Sequence, residues 1–121
     1  MQRGSSNTVK IFYPKFSKEE VIKIISERIK ELEDSLPIVL VILFGSYAKG
    51  NYTVGSDIDL LVVYKGEVRN DAYAIVKKTV DIPRLEPHLY TEDEYKKMKD
   101  VLDRMTKGGI VLYSRKDEDD G

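Results

Sequence analysis

Residues 38–64 read IVLVILFGSYAKGNYTVGSDIDLLVVY, and this stretch decides the fold. Ile38 to Phe44 is short, apolar throughout and rich in β-branched residues. That pattern suits a central strand covered on both faces. Gly45 ends it. Asp57 to Tyr64 reads as a second strand, closed by Lys65-Gly66. Side chains alternate along a strand, so Asp57 and Asp59 project from one face. Their neighbours Ile58, Leu60, Leu61, Val62 and Val63 are apolar. Two acids in such surroundings repel each other and lose hydration, which is costly unless a cation neutralises them. Hard divalent cations such as Mg²⁺ take oxygen ligands, and closely spaced carboxylates supply them. An isolated D-x-D is more often a turn cap followed by a solvated strand acid. This pair is not isolated. Upstream, the first strand runs straight into Gly45-Ser46, where a tight turn lets backbone N–H groups approach an anion. A short helix beginning near Ser46 would add favourable partial charge, and Lys49 is a nearby cation.

Outward from this core, Ser17-Lys18-Glu19-Glu20 has the capping-box form. Beyond it Val21, Ile25, Ile29, Leu32 and Leu36 recur at helical spacing, which predicts a helix over 18–35 stopped by Pro37. Asn70 is the expected N-cap of a helix over 71–81, with Ala72, Ile75, Val76 and Val80 inward. Leu85 to Tyr90 reads as a third strand, and Pro87 argues for an edge position or a bulge. Thr91-Glu92-Asp93-Glu94 is a second capping box, opening a helix over 92–106 with Tyr95, Met98, Val101, Leu102 and Met105 on one face. Gly108-Gly109 end it, and Ile110 to Tyr113 forms a last short strand. The order α-β-β-α-β-α-β predicts an α/β or α+β domain, a small mixed sheet with helices packed on it. The helix between the second and third strands implies that they pair in parallel.

The composition narrows the chemistry. A chain of 121 residues suits one domain, expected over 10–113 between a flexible N-terminus at 1–9 and a charged tail at 114–121. Lys+Arg is 20 against 21 Asp+Glu, so net charge is -1. Non-specific nucleic-acid binders carry a basic excess, so a stable nucleic-acid partner is not expected. The absence of cysteine removes thiolate metal sites, disulfides and Cys nucleophiles. The lone His88 removes any two-His site, so metal chemistry here must use carboxylates. No apolar run is long enough to span a bilayer, and Met1 to Asn7 lacks an apolar signal core, so a cytoplasmic location is expected.

The stretch from Leu43 to Val63 resembles the signature of the nucleotidyltransferase superfamily related to DNA polymerase β, and most closely its minimal nucleotidyltransferase (MNT) group. That signature is G-S-x-A-x-G, a five-residue loop, then S-D-x-D and an apolar run. Gly45, Ser46, Ala48, Gly50, Ser56, Asp57 and Asp59 all match it with the expected gap. The order of elements carries the resemblance across most of residues 18–113. It implies the nucleotidyltransferase fold and a third carboxylate on a neighbouring strand, for which Asp81 and Glu86 are the candidates. Glu86 matches better, because the family's acid is followed by a short strand and a Thr-capped helix. The family often has Asp there, so a Glu followed by Pro87 is a departure.

The resemblance implies two-metal nucleotidyl transfer, with Asp57, Asp59 and Glu86 as catalytic and metal-binding residues for two Mg²⁺ ions. Gly45 and Ser46 would hold the β- and γ-phosphates of ATP or another NTP, with Lys49 and Ser56 as further nucleotide-binding residues. His88 would share the face of Glu86 as a site neighbour at best, with a surface or satisfied histidine as the default. Tyr47 and Tyr52 lie in the right loop to stack on a base, with ordinary packing the default. Larger relatives carry an added helical domain for the acceptor, and 121 residues leave no room for one. The acceptor is then expected on a partner or a second copy, which leaves a homo-oligomer open. In the MNT group the partner is often a small helical HEPN protein, in a toxin–antitoxin pair where AMP is added to a tyrosine of the toxin. The competing reading is a catalytically weak module of the same fold that binds nucleotide or a partner.

Overall fold

The computed structural model describes residues 16–115. The expected flexible N-terminus at 1–9 and all but the first two residues of the tail lie outside the described residues. The elements run α1 (Lys18–Ser35), β1 (Ile38–Phe44), α2 (Ser46–Lys49), β2 (Ile58–Tyr64), α3 (Ala72–Val80), β3 (Leu85–Thr91), α4 (Glu92–Lys97), α5 (Lys99–Met105) and β4 (Ile110–Ser114). The four strands form one mixed sheet in the order β3-β2-β1-β4. β1 pairs antiparallel with β2 and β4, and β2 pairs in parallel with β3. The α3 crossover therefore does what a helix between two strands implies. Pro87 lies on an edge strand, where its missing N–H leaves no ladder bond to a further strand unmade.

One face of the sheet carries the larger core. Val41, Leu43, Leu60, Val62 and Leu85 pack there against Val21, Ile25, Ile29 and Leu32 of α1 and Ala72, Val76 and Val80 of α3. The helical spacing read along α1 is thus its buried stripe, and the Ser17–Glu20 capping box is formed on both sides. The opposite face holds Ile42, Phe44, Leu61 and Val63, covered by Tyr95 and Met105. A strand run that is apolar on both faces follows from this three-layer arrangement.

Two expectations need correction. Asn70 does not cap α3; the helix begins at Ala72 after Asp71, which makes no side-chain cap bond, and Asp71 is instead paired with Arg69. The span 92–106 is not one helix. It breaks at Met98 into α4 and α5, so a single periodic face does not run through it, and Met98 and Val101 are exposed while Leu102 is buried. Lys77 is exposed, and its Nζ donates to the Leu85 carbonyl at 2.8 Å, tying α3 to the start of β3.

Candidate active site

The acidic residues gather where β1 ends and β2 and β3 begin. Phe44 is the Cα partner of Asp59 across the antiparallel pair, and Asp59 is the partner of Glu86 across the parallel one. Residues opposite one another in a sheet share a face, so Phe44, Asp59 and Glu86 stand in a row on the face covered by α4 and α5. Asp57 precedes β2 by one residue and is exposed.

Gly45 forms the back wall of this corner. Its φ of 79° and ψ of -155° lie in a region nearly reserved for glycine. A Cβ placed there would meet Asp59 Oδ2 at 2.5 Å. The glycine thus turns the chain and lets the backbone lie directly against a carboxylate. Ser46 opens α2, a single turn closed by Gly50 in the left-handed conformation. This is the short helix anticipated after Gly45.

Each aspartate has a cationic or donor neighbour. Asp57 Oδ1 lies 3.2 Å from Arg84 Nη2, which also donates to the Gly55 carbonyl, while Arg84 Nε donates to the Ser56 carbonyl at 3.2 Å. Arg84 itself has φ 65°, and its carbonyl accepts from Ile58 N–H at 2.9 Å. It therefore clamps the loop that delivers Asp57. Asp59 Oδ1 lies 3.3 Å from His88 Nε2, and the His88 ring rests against Phe44 with centroids 5.1 Å apart. Among the described residues, no group of three or more His, Asp or Glu side chains stands close enough together to hold a metal ion.

Of the other residues named from the sequence, Lys49 and Ser56 lie between β1 and β2, and Asp81 stands away from the corner. Ser56 is a turn staple, its Oγ accepting from Thr53 N–H at 2.8 Å. Lys49 is exposed, and its side chain runs past Gly108 in the turn before β4. Asp81 is the left-handed C-cap of α3, beside Arg28, Glu31 and Lys78 on the other side of the sheet. The register sets Glu86, not Asp81, beside Asp59. Tyr47 and Tyr52 stack on each other with centroids 4.0 Å apart. Tyr47 donates to the Phe16 carbonyl and Tyr52 accepts from Lys18 N–H, both at 2.9 Å. They pin the Gly45–Gly50 loop to the start of α1, the packing role that was the default. Burial, with the charges of Tyr52 and Glu20 behind it, raises the Tyr47 phenol above its ordinary range.

Sequence reasoning passed over Arg84 and placed His88 no closer than a neighbour. Alternation from Glu86 was the one signal for His88. Nothing local marks Arg84, whose contacts reach residues 28 and 29 positions away.

Comparison with known proteins gives a consistent result. A model of the nucleotidyltransferase domain matches residues 15–112. Over 48 residues, 38% of this chain, the sequence is 48% identical to "Putative protein adenylyltransferase MJ0141" of Methanocaldococcus jannaschii. The match spans about half (48%) of that relative's length. The crystal structure of "a putative nucleotidyltransferase" from Sulfolobus solfataricus superposes with a TM-score of 0.58 and 26% identity, covering 81% of this chain and 84% of that one. The MNT antitoxin complexed with a tri-AMPylated HEPN toxin from Shewanella oneidensis superposes with a TM-score of 0.51 and 22% identity, covering 82% and 77%. At that identity the likeness is one of fold. No helix among the described residues is long and apolar enough to cross a membrane.

Proposed function

Because the chain belongs to the nucleotidyltransferase domain family, we propose that it transfers a nucleoside monophosphate, AMP from ATP, to a hydroxyl of a protein acceptor. The observation that carries this reading is the corner itself: Gly45 stripped of a side chain against Asp59, with Glu86 next in register and Asp57 two residues upstream.

The donor set fits a hard divalent ion. It offers carboxylate oxygens only, and the missing Gly45 Cβ lets the Asp59 carboxylate keep its place beside the turn after β1. The three carboxylates do not form a closed cage, and Mg²⁺ does not ask for one. It keeps waters and binds through one or two carboxylates plus substrate phosphates. Asp57 and Asp59 would hold two Mg²⁺ ions, with Glu86 completing the site on the acceptor side. Bound Mg²⁺ supplies neutralisation of the charge that develops on the transferring phosphate. Backbone N–H groups at Gly45 and Ser46 would hold the β- and γ-phosphates, with Lys49 and Ser56 at the rim of the same loop. The acceptor oxygen attacks the α-phosphorus, pyrophosphate leaves, and Glu86 takes the hydroxyl proton. Positioning and charge neutralisation supply most of the gain in such transfers.

The acceptor we propose is a tyrosine of a small helical HEPN-type partner, making this chain the antitoxin of a pair. Support comes from the S. oneidensis complex, whose toxin is AMPylated and bound to an MNT antitoxin of this fold. The test is incubation with labelled ATP, Mg²⁺ and a HEPN-type protein encoded beside this chain, alongside an Asp57→Asn/Asp59→Asn variant. Label should pass to the partner and vanish in the variant. A second reading, a binding module with weak catalysis, is favoured by the Arg84 grip on Asp57 and the exposed Glu86. Partner binding that persists without any transfer would establish it instead.

A further inference from the structure

Both carboxylate oxygens of Asp59 have close neighbours. Oδ2 faces the Gly45 backbone, where even a Cβ would stand only 2.5 Å away. Oδ1 faces His88 Nε2 at 3.3 Å. The ring of His88 is in turn fixed against Phe44, tilted 60° to it. Phe44 is the Cα partner of Asp59, and His88 is the partner of Leu61, one same-face position further along the sheet. His88 therefore reaches back diagonally, from the edge strand, to a carboxylate across the parallel pair. The side chains are about one-third exposed, 31% for His88 and 28% for Asp59, so bulk water does not dominate the contact.

We infer that His88 is a positioning residue that donates from Nε2–H to Asp59 Oδ1 and fixes the carboxylate's rotation for metal binding. An ionised carboxylate only accepts hydrogen bonds, so the nitrogen facing it must carry the proton. A carboxylate is otherwise loosely defined about its terminal torsion. Here the backbone wall at Gly45 blocks displacement on one side and the imidazole sets the angle on the other. Groups that orient metal ligands in this way commonly hold about 10- to 100-fold in metal affinity. This inference rests on the reading of Asp59 as a metal ligand, so its test must separate the two.

The test measures Mn²⁺ binding, by the electron paramagnetic resonance of free Mn²⁺, in the presence of a non-hydrolysable ATP analogue. Four proteins are compared: the parent chain, His88→Phe, His88→Gln and Asp59→Asn. His88→Phe keeps an aromatic ring against Phe44 and removes the donor. His88→Gln removes the ring and keeps an N–H of matching reach. The expected result is binding weakened about 10-fold in His88→Phe, the low end of that range. Recovery to within about threefold of the parent is expected in His88→Gln, because the donor is retained. Unchanged binding in His88→Phe overturns the inference, as does a His88→Gln variant as weak as His88→Phe, since the ring would then matter and not the donor. If Asp59→Asn binds as tightly as the parent, the metal-ligand reading of Asp59 fails and takes this inference with it. Should His88→Phe not fold, as judged by thermal melting, His88→Gln decides alone. Parent-like affinity there supports the donor role, and loss of affinity overturns it.

Discussion

Replacing Gly45 by alanine tests the central geometric claim, that the backbone is pressed against a carboxylate. Two costs separate cleanly. The φ and ψ of 79° and -155° place a non-glycine residue in a region that costs about 1–3 kcal/mol. The new Cβ would also meet Asp59 Oδ2 at 2.5 Å, so the carboxylate must swing or slide away. Gly50→Ala is the internal control. Its φ of 85° also strains an alanine, yet nothing lies within 4 Å of the added Cβ. Left-handed strain alone there costs about 1–2 kcal/mol. For a chain of this size 1 kcal/mol moves the melting midpoint by about 4 °C. Gly50→Ala should then melt about 4–8 °C lower. Gly45→Ala, with strain and contact together, should lose about 10 °C or more. The function-linked readout is Mn²⁺ binding with an ATP analogue, and beside it AMP transfer to the proposed partner. A displaced Asp59 should weaken both about 100-fold, because shifts near 1 Å at reacting groups cost that much. Gly50→Ala should stay within a few-fold, since its Cβ touches nothing. Equal metal binding and equal melting in the two variants would refute the pressed-backbone account of Gly45.

Other outcomes follow from single contacts. Glu86→Gln should abolish transfer while Asp81→Asn should not, because Glu86 is in register with Asp59 and Asp81 caps α3; a labelled-ATP assay with the reverse outcome would move the third carboxylate. Tyr47→Phe loses the bond to the Phe16 carbonyl, and calorimetry should show about 1 kcal/mol less stability. The pH dependence of that variant has a definite sign. Burial raises the folded Tyr47 phenol above 10.0, so its contribution is complete below that value and lost as pH rises through the folded one. Tyr47→Phe should accordingly lose less stability than the parent chain in melts above about pH 10. Gly109→Ala places a Cβ 2.8 Å from Ile42 Cγ2 and 2.9 Å from the Leu43 carbonyl; overpacking of about 1–3 kcal/mol should appear as a lower midpoint, and no change would mean that the β4 turn is looser than described.

Much of this molecule was legible in the chain because the deciding signals are local. A capping box at Ser17, an apolar stripe from Val21 to Leu32 and a seven-residue apolar run at Ile38 each depend on residues within a few positions of one another. Pro87 marked its strand as an edge for the same reason: a missing N–H is a property of one residue. The joint pattern from Gly45 to Asp59 marked the corner because a turn and an alternating strand carry their geometry in their own sequence. The break at Met98 was not legible. Helical periodicity continues through it, and the break lies in the backbone of Met98, whose φ of -107° and ψ of 22° leave the helical region.

By itself, then, the sequence determined most of the elements, the parallel β2–β3 pairing and the cysteine-free, carboxylate-rich character of the candidate site. Tertiary structure alone decided which side chains meet. Glu86, which the resemblance already favoured over Asp81, stands beside Asp59 through strand register, a long-range quantity. His88 entered the corner because its ring reaches across two strands, and Arg84 because a left-handed backbone turns its guanidinium onto Asp57. Tyr47 and Tyr52 were drawn to the start of α1 by partners more than thirty residues away in the chain. Such contacts join residues far apart in sequence, and their geometry exists only once the sheet has formed.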